Sequence, residues 1–242
     1  MKILIAGDSF AAETKSYVFR KYSWSNILQN QTKWSITNIA EEGASLSHTY
    51  LKLDKINFEK FDKVVVVVTQ IGRVCIQNSE LQLANLNAAE DYIKKLSQST
   101  NHMRYKIALA VKYYYEYLYN EDLELVYFES LLKKIKEIVP KQKLVLVNGC
   151  CMYEPFNHYY SHPIRLTDIS SKELRHLYNP WTSLFSDHQE TKMHANHMIQ
   201  DNKIILAKLI QDLCEYGTSQ ISIDDFVQMD SKDFSKYWSK KV

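Results

Sequence analysis

Apolar and polar positions along this chain follow two rhythms. Short apolar runs, too brief for helices and bounded by glycine or polar residues, occur at positions 3–6, 64–68 and 144–147. Runs of this kind predict strands buried on both faces of a parallel sheet. The five consecutive valines Val64 to Val68, between Asp62-Lys63 and Thr69-Gln70, predict a central strand with helices above and below. Trp34 to Ala40 alternates and is β-branched, which predicts a second strand. Between these runs the apolar spacing changes to three and four residues. It does so at Trp24, Ile27 and Leu28, at Leu83, Leu86, Ala89, Ile93 and Leu96, at Leu125 to Ile138 before Pro140, and at Ile199 to Leu213. The predicted helices are therefore one around Trp24, one over 81–96, one over 123–139 and a last one over 198–214. Tyr153 to Pro180 reads as loops around one short helix near 171–177.

Strands that alternate with helices predict a three-layer α/β/α domain with a central parallel sheet. The boundaries expected are a single domain over 1–215, a helical insertion over 79–140 after the third strand, and a polar, loosely docked tail over 216–242. Within the insertion, Tyr113, Tyr114, Tyr115, Tyr117 and Tyr119 form a stripe suited either to core and rim packing or to stacking on sugar rings.

At 242 residues and 45% hydrophobic composition the chain can bury one sizeable core. A net charge of +2 with mixed signs lacks the clustered basic face that nucleic acid requires. No apolar run approaches the ~20 residues of a membrane span, and the start lacks the apolar region of a signal peptide. The expectation is a soluble, cytoplasmic protein with neither nucleic-acid nor membrane partners. Its four cysteines show no C-x-x-C spacing, so no metal, redox motif or other cofactor is expected.

The candidate chemistry lies at the two ends. Gly7-Asp8-Ser9 closes the first predicted strand and delivers Ser9 to the carboxyl edge of the sheet, where open α/β folds bind ligands. A serine there is either an activated nucleophile or a helix N-cap. Near the other end, Asp187 to Met198 brings His188, His194 and His197 ahead of the last helix. Gly7-Asp8-Ser9 at this position and a His before the last long helix together resemble the GDSL/SGNH hydrolase family, whose fold is of the flavodoxin-like type. The resemblance extends to about residue 215 and implies Ser9 as nucleophile and His197 as base.

It further implies an oxyanion held by the N–H of Ser9, by that of a glycine after the second strand, here Gly43, and by the Asn of a Gly-x-Asn-Asp motif. That motif is absent. Thr69-Gln70-Ile71-Gly72-Arg73 stands in its place, leaving the Gln70 amide or the Arg73 guanidinium as substitute donors. The acid expected three residues before the base is also replaced, by His194. Asp187, ten residues upstream of His197, is the first substitute and Glu190 the second; a Ser–His dyad, or His194 as the base, are further readings.

Four functions follow from this pattern. One is a serine esterase working through a covalent acyl-serine on a small-molecule or glycan ester, with an O-acetylated carbohydrate as the specific form. An acyltransferase of the same fold would use the same residues. A non-catalytic, carbohydrate-binding domain of SGNH type accommodates the two altered motifs. A flavodoxin-like phosphate or nucleotide binder is disfavoured because Glu13 in the first loop opposes an anion. The oligomeric state is open.

Overall fold

The computed structural model describes residues 1–12, 23–74, 90, 93–94, 102–151, 153–166 and 200–227. Its strands are β1 (Lys2–Gly7), β2 (Ser35–Asn38), β3 (Lys63–Val68) and β4 (Leu144–Asn148). All pair in parallel, in the order β2-β1-β3-β4, so β1 and β3 are central. Ile5 stands opposite Asn38 on one side and Val65 on the other, and Val65 opposite Val145.

The described helices are α1 (Trp24–Thr32), α2 (Leu46–Leu53), α3 (His102–Tyr113), α4 (Glu121–Ile138) and α5 (Gln200–Tyr216). Alternate valines of β3 serve separate cores, because successive strand side chains point to opposite faces. Val65 and Val67 join Ile3, Ile5, Val145 and Val147 against Trp24 and Leu28 of α1 and Leu206, Leu209 and Ile210 of α5. Val64, Val66 and Val68 join Leu4, Ala6 and Leu146 against Leu53 of α2 and Leu131, Leu132 and Ile135 of α4. Each fully buried valine contributes roughly 1.5–3 kcal/mol of gross burial, so β3 anchors both layers at once.

Helix starts follow local chemistry. Ser23 caps α1 by accepting the Asn26 N–H, Ser45 caps α2 by accepting the His48 N–H, and Asn120 caps α4 by accepting the Leu123 N–H. Glu121, Asp122 and Glu124 place negative charge at the positive end of the α4 dipole.

The structure departs from the sequence pattern in four places. The second strand is shorter than 34–40, because the Asn38 side chain turns back to accept the Ala40 N–H and donate to the Ala11 carbonyl. The tyrosine stripe leaves α3 at Tyr113 and enters a π-helical turn, Tyr114–Leu118. A 3-10 turn at Glu154–Tyr159 leads into residues 161–166, which run beside β4. There the Ser161 N–H donates to the Leu146 carbonyl at 2.7 Å and the Leu166 N–H to the Asn148 carbonyl at 2.9 Å.

The segment after α5, expected to dock loosely, is held through residue 227. Phe226 is buried in the α1/α5 core, and the Asn202 side chain accepts the Val227 N–H at 2.7 Å and donates to its carbonyl at 3.1 Å. Most of the helix predicted over 81–96, the short helix near 171–177 and residues 228–242 lie outside the described residues. Among the described residues no helix is long and apolar enough to cross a membrane.

Candidate active site at the carboxyl end of β1

β1 stops because Gly7 takes φ +142°, and a Cβ there would lie 2.5 Å from the Val67 carbonyl oxygen. Only glycine allows this approach of the two central strands. The chain then folds into a turn in which the carbonyls of Asp8, Phe10 and Ala11 are occupied. Asp8 C=O accepts the N–H groups of Ala11 (3.0 Å) and Ala12 (2.8 Å). Phe10 C=O accepts the Trp24 indole N–H at 2.7 Å, and Ala11 C=O accepts from the Asn38 amide at 2.8 Å. Ser9 sits at the crest, half-buried. It caps none of the described helices, α1 being capped by Ser23. Among the described residues its N–H and hydroxyl make no hydrogen bond.

Asp8 lies beneath, fully buried. One carboxylate oxygen, Oδ1, accepts the Phe10 N–H at 3.0 Å and so bridges across Ser9. The other, Oδ2, accepts the Thr69 hydroxyl at 2.8 Å and pairs with Arg73 Nη1 at 3.1 Å, with the Cys150 thiol at 3.9 Å. Burial of a carboxylate is costly unless it is paired and hydrogen-bonded, and here both conditions are met. The ends of β1, β3 and β4 thus converge on one carboxylate. Nothing in the sequence marked this cluster, since Asp8, Arg73 and Cys150 are far apart in the chain.

Burial, reinforced by the Asp8 charge, pushes the Cys150 thiol up to about 12, against a smaller opposing effect of Arg73. The thiol stays protonated at neutral pH and is a poor nucleophile there.

The loop that delivers Arg73 is held from outside by the tyrosines. The Tyr115 hydroxyl donates to the Gly72 carbonyl, and the Tyr119 ring occupies the space a Gly72 Cβ would need, 2.8 Å away. Tyr114, Tyr115 and Tyr119 pack against one another edge-on or tilted. The Tyr114 hydroxyl bonds the Glu124 carboxylate; burial and that contact raise its pKa to about 12. Three of the five tyrosines are therefore buttresses, while Tyr113 and Tyr117 are exposed with ring centroids 6.0 Å apart.

Gly43 lies on the same edge. The Glu41 N–H donates to the Gly7 carbonyl at 3.1 Å, drawing the loop after β2 against the end of β1. The Ala44 N–H closes a turn on the Glu41 carbonyl at 3.1 Å with Gly43 at φ +73°, so the turn itself calls for a glycine. Among the described residues the Gly43 N–H makes no hydrogen bond. Gln70 is exposed just past Thr69. Arg73, the other substitute donor, has its Nη1 on Asp8 and a buried Nε without a partner among the described residues. His197, Asp187, Glu190 and His194 lie outside the described residues. No group of three His, Cys, Asp or Glu side chains able to hold a metal is gathered among the described residues.

No protein-family model matches the chain, and no curated protein matches it. Among solved structures it is similar to the psychrotrophic esterase EstA of a Pseudoalteromonas species, with a TM-score of 0.30 and 14% identity over 65% of this chain and 64% of the esterase, somewhat under two thirds of its length. It is similar to a lipase/acylhydrolase from Enterococcus faecalis, with a TM-score of 0.38 and 13% identity over 88% of this chain and 95% of that one. An acetyl xylan esterase, AlAXEase, gives a TM-score of 0.34 and 10% identity over 88% and 98%. At these TM-scores and identities none of them assigns an activity to this chain.

Proposed function

We propose that this protein is a serine esterase of SGNH type. The observation that carries the reading is the Ser9 turn: a half-buried serine whose N–H and hydroxyl are unengaged among the described residues, on a turn fastened at the carbonyls of Gly7, Asp8, Phe10 and Ala11, at the ligand-binding edge of a parallel sheet. A nucleophile needs this fixity, because a misplacement of about 1 Å costs roughly 100-fold in rate.

In the proposed reaction Ser9 Oγ attacks the ester carbonyl carbon while His197 removes its proton. The resulting oxyanion accepts the N–H groups of Ser9 and Gly43 and the Gln70 amide. Collapse breaks the ester C–O bond, His197 returns the proton to the leaving alcohol, and water repeats the sequence on the acyl-serine. Asp187 orients the imidazole and stabilises its charged form. Exposed Tyr113 and Tyr117, on the element that buttresses the Arg73 loop, favour an O-acetylated carbohydrate as the first substrate to try.

The test is mass spectrometry after treatment with a fluorophosphonate probe, run beside Ser9→Ala and His197→Ala. Stoichiometric adduct on Ser9, lost in both variants, is expected. A folded protein that takes no label overturns the reading, and the carbohydrate-binding domain then leads.

A further inference from the structure

We infer that Arg73 is a positioning residue for Ser9, acting through the Asp8 carboxylate rather than by contact with substrate. The inference rests on Ser9 as the nucleophile. Asp8 is fully buried, and among the described residues Arg73 is the cation paired with it, at 3.1 Å. The same carboxylate reaches over Ser9 to the Phe10 N–H at 3.0 Å. The peptide group that follows Ser9 is thus held by a buried carboxylate whose other oxygen is paired with Arg73. Removal of the guanidinium leaves the buried Asp8 carboxylate without its charge partner and free to turn away from the Phe10 N–H. The bond to Phe10 then weakens and the backbone that carries Ser9 loses one of its fixings.

Among the described residues the contact is single, through Nη1 alone, and the buried Nε has no partner. The two-pronged geometry peculiar to arginine is therefore unused toward Asp8, and a lysine at this place retains the essential charge. Tyr115 and Tyr119 on Gly72 hold the neighbouring backbone, which confines the effect of a change at residue 73 to its side chain.

The experiment measures fluorophosphonate labelling of Ser9 at several probe concentrations, separating the limiting rate from the half-saturating concentration. It uses the wild type, Arg73→Met, Arg73→Lys, Asp8→Asn and the Arg73→Met/Asp8→Asn double variant. Arg73→Met is expected to lower the limiting rate about 100-fold, leave the half-saturating concentration within about twofold, and be largely rescued in Arg73→Lys. The double variant is expected to label no more slowly than the slower single variant, since both substitutions remove one link.

A wild-type limiting rate in Arg73→Met overturns the inference. So does a loss confined to half-saturation, which would place Arg73 on the probe, or multiplication of the two effects in the double variant. If Arg73→Met does not fold, Arg73→Lys and Asp8→Asn carry the comparison.

The indole N–H resonance of Trp24, bonded to Phe10 C=O at 2.7 Å and assigned with Trp24→Phe, supplies a readout free of activity. It is expected to move in Arg73→Met and to return in Arg73→Lys. An unmoved resonance overturns the link from Arg73 to the turn. A wild type that takes no label but shows the shift overturns the nucleophile reading and leaves that link standing.

Discussion

Two strand ends on the same edge of the sheet solve the same problem differently. β1 ends in Gly7-Asp8 and β4 in Asn148-Gly149, and in both the polar side chain is buried and folds back on its own chain. Asn148 is complete within three residues, its Oδ1 accepting the Cys151 N–H at 2.9 Å and its Nδ2 donating to the Cys151 carbonyl at 3.0 Å. Asp8 satisfies one oxygen locally and recruits Thr69 and Arg73 from beyond β3 for the other. A neutral amide would have closed the β1 turn as cheaply. A buried charge that depends on a distant cation stands at β1, next to the one serine on this edge whose hydroxyl is unengaged among the described residues, and that contrast is the ground for reading the β1 turn as the site of the proposed nucleophile.

The sharpest way to break the comparison is through its glycines. Gly7→Ala forces a side chain into φ +142° and within 2.5 Å of Val67 O; strain and overpacking together should cost about 4–5 kcal/mol or prevent folding. Gly149→Ala meets Val68 O at 2.6 Å, and without the added backbone strain should cost about 2 kcal/mol. Urea denaturation of both variants checks the difference.

Asn148→Asp replaces the donating amide of β4 by a carboxylate set against the Cys151 carbonyl, at an expected cost of about 3–4 kcal/mol by chemical denaturation. Asp8→Asn strands the Arg73 guanidinium, whose side chain is 13% exposed; partial hydration should limit the loss to about 3 kcal/mol. Equal and negligible effects at Asp8 and Asn148 would erase the distinction between the two turns.

The last test is one of pH. The Cys150 thiol is raised by burial from 9.0 to about 12. Above pH 9 the unfolded thiol gives up a proton that the folded one keeps, so this contribution to stability is present below 9 and is lost as pH rises toward 12. Cys150→Ala should make the alkaline decline in stability shallower by about 1 kcal/mol per pH unit in that window. An unchanged slope would show that the thiol is not held protonated beside Asp8.

The strands were legible because burial on both faces leaves an unbroken apolar run, and α4 because one buried face imposes a spacing of three and four. The Ser9 turn was legible in outline for the same reason: Gly7 ends a run. The ion pair beneath it was not, since Arg73 reads as one polar residue in a loop and its partner stands 65 residues earlier. Nor did the tyrosine stripe announce its use. Tyr115 and Tyr119 pack on Gly72, a residue whose lack of a side chain makes room for them and leaves no apolar signal of its own. Phe226 was misjudged because a single aromatic among polar neighbours carries no periodicity, although its burial closes the α1/α5 core.

The valine run that anchors both layers has a second consequence once the chain unfolds. Five β-branched residues without charge, proline or glycine form a segment of the kind that stacks between chains into cross-β aggregates. In the native state β1 and β4 cover its two edges, and Asp62 and Lys63 stand guard at one end only. Heating should therefore end in precipitation rather than in a reversible transition, so that the working lifetime of the protein is set by how rarely β3 is uncovered.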